Sequence, residues 1–203
     1  MENTSISVAD ERKIEITDRT AESLSLGAVL LGWMTIIFAF ALLKVYPMAG
    51  MVLSVVFFCG FGFLIVALTS WKKGNEFGLF AFGMIAVFAW SFVALNILPA
   101  TGLVSPPTSA EVATFMISFA LFVAMFCIIT TFFPVRLLTI VIGLASLMFM
   151  LVGIHTLYSD AALGTAIGVL AVIVGVLSSY LSVASVINGC ARKQMCPLLM
   201  KKV

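Results

Sequence analysis

The sequence predicts an all-α integral membrane protein in which six helices cross the bilayer. Of its 203 residues, 63% are apolar and only 10% are charged, whereas soluble domains carry about 45–50% apolar and about 25% charged residues. The mean hydropathy is +1.23. The apolar residues fall into six charge-free runs, each long enough to cross a hydrocarbon core as a helix, which takes about 20 residues. This composition excludes a water-soluble enzyme and a nucleic-acid-binding protein.

The six runs are expected to be helices because none of them alternates apolar and polar residues, as the strands of a membrane β-barrel do. They cover residues 25–43, 47–70, 78–98, 112–133, 137–157 and 162–188. All six prolines lie at the edges of the runs or outside them, where a missing N–H does least harm to a helix. Five connections separate the runs, and the charged, proline or aromatic residues that mark them include, in order, Lys44 and Pro47, Lys72 and Lys73, Pro99 with Pro106 and Pro107, Pro134 with Arg136, and Tyr158. Arg192 follows the last run.

The basic residues are distributed unevenly over the two sides that six spans define. Ten of the eleven Lys and Arg residues fall on the side of the two termini, and only Lys44 falls on the other. Because cytoplasmic loops carry an excess of basic residues, both termini are expected in the cytoplasm of a multi-pass cell-membrane protein. The expected parts are a cytoplasmic N-terminal tail over residues 1–23, a six-helix transmembrane domain over residues 24–189 and a cytoplasmic basic tail over residues 190–203.

Ionised side chains are missing from the predicted spans, which contain no Asp, Glu, Lys or Arg. Pumps and strongly coupled transporters bury such residues as proton relays or counter-ions, so this pattern argues against an ATP-driven pump, a redox carrier and a carboxylate-relay antiporter. The sequence shows no nucleotide-binding loop, no catalytic triad and no His/Cys cluster with the spacing of metal ligands. We therefore expect neither an enzyme, nor a cofactor, nor a metal site.

Neutral polar side chains remain as candidates to line a path through the spans. Most are expected to form hydrogen bonds within or between helices, and the candidates for the path are Thr35, Ser91, Ser182 and Asn188. In the sixth run, small residues recur at spacings that put them on one face, which either packs on a neighbouring helix or lines a wet path. The single histidine, His155, is either an interfacial hydrogen-bonding group or a pH sensor.

The connection between the second and third runs resembles a hallmark of the acetate uptake transporter family, the six-helix succinate–acetate permeases. Its residues are Lys72-Lys73-Gly74-Asn75-Glu76-Phe77-Gly78. Further matches extend the resemblance over nearly the whole chain, and they are Asp18–Ala21, Trp90-Ser91, Arg136–Leu138, and Ser179–Leu181 followed by Asn188. The resemblance implies a helical bundle similar in architecture to acid-gated urea channels, with acetate as the solute.

One motif departs from the family pattern. The family has NPAPLGL at the start of its first helix, whereas this chain has Glu22-Ser23-Leu24-Ser25-Leu26-Gly27-Ala28. The chain is therefore identified as a divergent member that lacks this signature. The residues that remain from the family motifs are Leu26, Gly27, Lys73, Gly74 and Asn75.

The resemblance also implies a narrow pore in each subunit of a homohexamer in the lipid bilayer. In the family the pore narrows at a ring of Phe, Tyr and Leu, and the aligned residues here are Leu31, Ile85 and Ala145. The leading hypothesis is passage of acetate or a similar short-chain monocarboxylate, alone or together with a proton. The alternatives are a channel for a small neutral solute (urea, an amide or ammonia) and a non-transporting membrane sensor or assembly protein.

Overall fold

Six α-helices make up nearly all of the described part of the chain, which is residues 23–200 of a computed structural model. They are α1 Ser23–Leu42, α2 Gly50–Lys72, α3 Glu76–Ile97, α4 Ser109–Thr130, α5 Arg136–Tyr158 and α6 Ala161–Ala191. All six are long and apolar enough to cross a membrane, so the predicted fold class is confirmed. The predicted N-terminal tail, apart from Ser23, lies outside the described residues.

Polar side chains fix where three of the helices begin. The Asn75 Oδ1 accepts a hydrogen bond from the Gly78 N–H at 2.9 Å at the start of α3. Thr108 and Glu111 form a capping box at the start of α4, and the Asp160 Oδ1 accepts from the N–H of Leu163 at 2.8 Å at the start of α6. Each contact satisfies an N–H group that has no partner inside its own helix.

The motif between the second and third spans forms a tight turn from α2 into α3. Gly74 has a φ of 67°, which is a left-handed conformation that glycine adopts without steric cost. The N–H of Asn75 then donates to the Ser70 carbonyl at 2.9 Å, while its side chain caps α3. The sequence Lys73-Gly74-Asn75 therefore provides the reversal that lays α3 antiparallel to α2.

The helices are arranged as a ring around a common axis. α1 packs on α6 and on α2, α2 packs on α3, α5 packs on α6, and α4 packs on α5. α3 and α4 meet through phenylalanine side chains, for example between Phe80 and Phe126, whose ring centroids lie 5.6 Å apart. The order around the ring is therefore α3, α2, α1, α6, α5 and α4, with an interior bounded by all of them.

α1 and α6 approach each other closely at a pair of glycines. A Cβ added at Gly32 would lie 2.8 Å from the Gly175 carbonyl oxygen, and a Cβ added at Gly175 would lie 3.0 Å from the Gly32 carbonyl oxygen. The Oγ of Ser182 also donates to the Ser25 carbonyl at 2.7 Å. Small residues therefore let α1 and α6 pack closely, as they do in many membrane helix pairs.

Replacement of Gly32 with alanine is expected to lower the free energy of unfolding by about 1–3 kcal/mol, because overpacking forces the two backbones apart. Gly50 provides the matched control, since a Cβ there meets no atom within 4 Å and alanine is the better helix former. Thermal unfolding in detergent should therefore show a lower midpoint for Gly32→Ala and an unchanged or higher one for Gly50→Ala. Equal midpoints for the two variants would contradict the close α1–α6 contact.

The C-terminal segment, residues 192–200, folds back onto the end of the bundle. The Asn188 Oδ1 accepts hydrogen bonds from the N–H groups of Met195 and Cys196 at 2.7 and 2.8 Å. The hydroxyl of Tyr180 donates to the Pro197 carbonyl at 2.9 Å, and Leu198 is buried in an apolar cluster with residues of α1, α5 and α6. This segment is therefore part of the folded domain at the end where α6 terminates.

Candidate functional site

The ring of helices encloses a cavity at the end of the bundle where α1 begins and α6 ends. We call this end the inner end and the cavity the inner cavity. It has a volume of about 60 Å³, and every helix except α2 contributes to its wall. All the lining side chains are apolar apart from that of Ser178. Because a cavity of roughly 10–15 Å³ already holds a water molecule, a small solute can fit here.

Two further cavities continue toward the opposite end, which we call the outer end. The middle cavity measures about 30 Å³, and Thr35 is its one polar lining residue. The outer cavity measures about 180 Å³ and carries three polar side chains, those of Asn96, His155 and Thr156. The three cavities follow one another along the axis of the bundle.

Two sets of bulky apolar side chains separate the cavities. The inner partition consists of the residues that line both the inner and the middle cavity, which are Met34, Phe88 and Phe149. The outer partition consists of the residues that line both the middle and the outer cavity, which are Phe38, Phe92 and Met116. Any solute that moves along the axis has to displace side chains of both partitions.

Phe88, one of the partition residues, is held in place by contacts with other aromatic rings. Its ring stacks on that of Phe119 with centroids 3.9 Å apart, and it meets the ring of Phe149 edge-on at 5.0 Å. The two ring planes of the edge-on pair are inclined by 74°, a favourable geometry for aromatic side chains. These contacts hold the Phe88 ring between the inner and middle cavities.

The three residues predicted to form the constriction all line the inner cavity. Leu31 comes from α1, Ile85 from α3 and Ala145 from α5, and Ala145 is only 4% exposed. Each is followed three or four residues later by a member of the inner partition, which places the predicted ring about one helical turn to the inner side of that partition. Their role as the constriction remains a prediction.

Two polar side chains reach the axis: that of Thr35, which was predicted from the sequence, and that of Ser178, which was not. Thr35 lines the middle cavity, and its hydroxyl donates to the Leu31 carbonyl at 2.6 Å, so it can only accept a hydrogen bond from a solute. Ser178 lines the inner cavity, is 0% exposed, and its Oγ has no hydrogen-bond partner among the described residues. The Ser178 hydroxyl is therefore available as a donor inside the inner cavity.

The other three polar candidates, Ser91, Ser182 and Asn188, line none of the three axial cavities. Ser182 and Asn188 lie on a groove between α1 and α6, where Ser182 bonds to the backbone of α1 and Asn188 holds the C-terminal segment. The small-residue face of α6 is thus mainly a packing face, although Ser178 on the same helix reaches the axis.

The residues that remain from the family motifs take structural positions. Gly27 is buried on the inner cavity beside Phe82, whose ring occupies the space that a Cβ at Gly27 would need. Leu26 is 44% exposed on the outside of the ring. The remaining three form the turn between α2 and α3. Gly27 is therefore the remnant that shapes the interior.

Among residues 23–200, His155 is the only ionisable residue that lines any of the three cavities. It lies near the outer end of α5, on the outer cavity, and its buried Nδ1 has no hydrogen-bond partner among the described residues. Its role as a pH sensor remains a prediction. Within residues 23–200, no three His, Cys, Asp or Glu side chains come together as potential metal ligands.

The partition residues were not predicted from the sequence, because residue type alone did not distinguish them. The chain contains 18 phenylalanines, and some of them, such as Phe58 at 67% exposure, lie on the outside of the ring. A usable signal was their position, because Phe88 and Phe149 follow two of the predicted constriction residues by one helical turn. Side chains at such spacings share a helix face.

Comparison with known proteins identifies relatives that match this chain over most of its length. A protein of Escherichia coli K12 named succinate-acetate/proton symporter SatP is 26% identical over 171 residues, which cover 84% of this chain and 90% of that protein. A protein of Methanothermobacter thermautotrophicus without an assigned function is 28% identical over 196 residues, covering 92% of this chain and 95% of that protein. No protein-family model matches the chain.

A solved structure has the same fold. It is described as the structure of the bacterial acetate channel SatP, and it superposes on this chain with a TM-score of 0.85 at 25% sequence identity. The match covers 89% of this chain and 99% of the other. The relationship therefore extends over the complete six-helix bundle that surrounds the three cavities.

Proposed function

We infer that the chain is a member of the acetate uptake transporter family, and from this premise we propose that it passes acetate or a similar short-chain monocarboxylate across the cell membrane. It is a multi-pass membrane protein whose relatives are transporters or channels. The observation that carries the proposal is the series of three cavities along the axis of a bundle that matches an acetate channel over its whole length.

The lining of the path determines the form in which a carboxylic acid can cross it. A carboxyl group of ordinary acidity is almost wholly ionised at pH 7. Burying a neutral polar group without a hydrogen bond costs about 2–7 kcal/mol, and moving a full charge through an apolar partition costs several kcal/mol or more. The inner and middle cavities offer one hydroxyl each, from Ser178 and Thr35. We therefore propose that the solute crosses the partitions as the neutral acid, so that a proton travels with it.

A second candidate function is passage of a small neutral solute such as urea, an amide or ammonia. The dry partitions favour it, because a neutral solute crosses them without the cost of moving a charge. Isotope flux into proteoliposomes, with acetate and urea measured side by side, separates the possibilities. Acetate flux that rises as the external pH falls supports the proposal. Urea flux without acetate flux supports the second candidate, and flux of neither solute supports a non-transporting protein.

We also propose that both termini lie in the cytoplasm, on the basis of the asymmetry of basic residues. Cys190 follows the last apolar run and is exposed, whereas Cys59 is 1% exposed inside α2. Cys190 is therefore expected to resist a membrane-impermeant maleimide in intact cells and to react after permeabilisation. A Cys190→Ala variant identifies the labelled site, and labelling of Cys190 in sealed cells would place the termini outside.

The proposed assembly is a homohexamer, as the family resemblance implies. A cluster of aromatic side chains on the outside of the ring, formed by Phe57, Phe58 and Phe61 with Trp90 beside them, offers a broad apolar surface for packing against a neighbouring subunit or lipid. Native mass spectrometry from a mild detergent is expected to show six copies. A monomer as the sole species at micromolar concentration would count against the hexamer.

A further inference from the structure

The outer cavity differs chemically from the two cavities below it. It is the largest of the three, at about 180 Å³, and its polar residues come from two helices, with Asn96 on α3 and His155 and Thr156 on α5. The inner and middle cavities have one hydroxyl each and no ionisable residue. The outer cavity is therefore the place along the proposed path where a charged solute can meet a group of opposite charge, which is His155.

The Nδ1 atom of His155 is buried and has no hydrogen-bond partner among the described residues. Buried polar atoms are nearly always paired, because an unpaired one has lost its hydrogen bonds to water without a replacement. The only other unpaired buried side-chain nitrogen or oxygen in residues 23–200 is the Oγ of Ser178 on the inner cavity. Both unpaired atoms thus belong to residues that line the path, where a solute or water can pair with them.

The packing of α6 holds the His155 ring in place. A Cβ added at Gly164 would lie 3.0 Å from the Cε1 atom of the ring and 3.2 Å from Nε2, but 3.8 Å from Nδ1. The absence of a side chain at Gly164 therefore makes room for the ring, and Nδ1 is the nitrogen farther from α6. Gly164, one of the small residues on the α6 face, thus makes the position of the His155 ring beside the outer cavity possible.

The two neighbouring polar groups offer hydrogen bonds but no charge, and Asn96 is the one that keeps a free donor. The Asn96 Nδ2 donates to the Phe92 carbonyl at 2.7 Å, which leaves its second N–H. The Thr156 hydroxyl donates to the Gly153 carbonyl at 2.7 Å, so it can only accept from a ligand. A ligand that accepts hydrogen bonds suits the imidazole and the amide together, and a carboxylate is such a ligand.

No other charge of the surrounding elements lines this cavity. The ionisable groups near the outer end are Lys44 after α1, Tyr46 before α2, Glu111 in the capping box of α4, Tyr158 at the end of α5 and Asp160 at the start of α6. Tyr46 donates its hydroxyl to the Ile37 carbonyl. His155 is therefore the group whose charge decides how the cavity interacts with an anion.

We propose that the outer cavity is a carboxylate-binding site in which protonated His155, with Asn96 beside it, holds the solute before it reaches the outer partition. The proposal rests on the proposed function and adds a binding step to it. Imidazolium donates from both nitrogens and forms a charge-assisted hydrogen bond with a carboxylate. Because only the protonated imidazole carries a charge, the site should bind a carboxylate more strongly as the pH falls.

The single histidine of the chain allows a direct test of binding. Protein labelled with ¹³C- and ¹⁵N-histidine, prepared without a histidine tag, gives one set of imidazole signals in detergent micelles. At about pH 7, addition of acetate is expected to move these signals toward the imidazolium positions, because a bound carboxylate favours the charged form of the ring, and addition of urea is expected to leave them unchanged. Signals that do not respond to acetate would overturn the proposal.

Flux measurements provide the second readout. The His155→Gln variant keeps a side chain that donates hydrogen bonds but cannot gain a charge. It is expected to raise the KM for acetate about tenfold at about pH 6 and to change it less than about twofold at about pH 8, because only a protonated imidazole forms a charge-assisted hydrogen bond with a carboxylate. The maximal rate should stay near that of wild type. Tyr158→Phe, a change at a 75% exposed residue at the same end of α5, is the matched control and should leave KM unchanged.

The two readouts separate this inference from the proposed function. If the wild-type protein moves no acetate but the imidazole signals respond to it, the binding site stands and the transport function fails. If acetate flux is normal and the imidazole signals stay fixed, the transport function stands and the binding site fails. A KM that is the same in wild type and His155→Gln at both pH values would also overturn the binding site.

Discussion

Replacement of Ala145 with phenylalanine is expected to reduce acetate flux by an order of magnitude or more while leaving the protein folded and its oligomer unchanged. Ala145 is the smallest of the three residues predicted to form the constriction, and it lines the inner cavity opposite Leu31 and Ile85. That cavity measures only about 60 Å³, so an added aromatic ring fills most of the space through which a solute would move. Flux into proteoliposomes, normalised to the amount of folded protein, measures the effect.

A lipid-facing position on the same helix provides the control. Leu147 lies two residues further along α5 and is 49% exposed. Leu147→Phe therefore adds an aromatic side chain to the outside of the bundle and should leave flux unchanged. If Ala145→Phe does not fold, Ala145→Val offers a smaller step, with a partial loss of flux expected. A folded, oligomeric Ala145→Phe variant with undiminished flux would show that the path lies elsewhere.

Removal of the Phe88 ring is expected to relax the selectivity of the path for solute size. The ring lines both the inner and the middle cavity, so Phe88→Ala should join the two into one continuous space. Flux of a longer monocarboxylate such as butyrate should then rise relative to that of acetate. The variant should also lose about 3–5 kcal/mol of stability, as truncation of a buried phenylalanine does, because the stacked contact with Phe119 is lost.

The size of this expected stability loss makes a milder variant useful. Phe88→Leu keeps an apolar side chain and removes the aromatic contacts, so it should raise the butyrate-to-acetate flux ratio by a smaller amount at a smaller cost in stability. Phe58→Ala, at a 67% exposed position on α2, removes a ring from the outside and should leave the ratio unchanged. The inner partition would not be a size filter if both Phe88 variants folded and kept the wild-type ratio.

The fold could be predicted from the sequence because a bilayer leaves a long apolar segment few options. Backbone polar groups must pair within the segment, so a charge-free run such as residues 162–188 becomes a helix. The ends were less predictable. α6 extends to Ala191, three residues past the apolar run, and its first turn is set by the Asp160 side chain rather than by hydrophobicity.

The site could be predicted only in part, because helical spacing gives a shared face but not the neighbour that the face meets. Leu31, Ile85 and Ala145 were selected by resemblance, and the structure brings them to one cavity. Ser178 and Ser182 are one turn apart on α6, yet Ser178 lies on the inner cavity and Ser182 bonds to α1. One helical turn, about 5 Å along the axis, separates the two positions, and the spacing of residues does not report which neighbour each of them meets.

The position of α1 beside α6 has a consequence for how the protein is made. A chain is synthesised from its N-terminus, so α1 enters the membrane first and α6 last, although these two helices pack extensively on each other. The surface of α1 around Gly32 therefore faces lipid or other helices until the final span has been inserted. Nascent chains that stop before α6 therefore leave this surface of α1 uncovered and the ring of helices open.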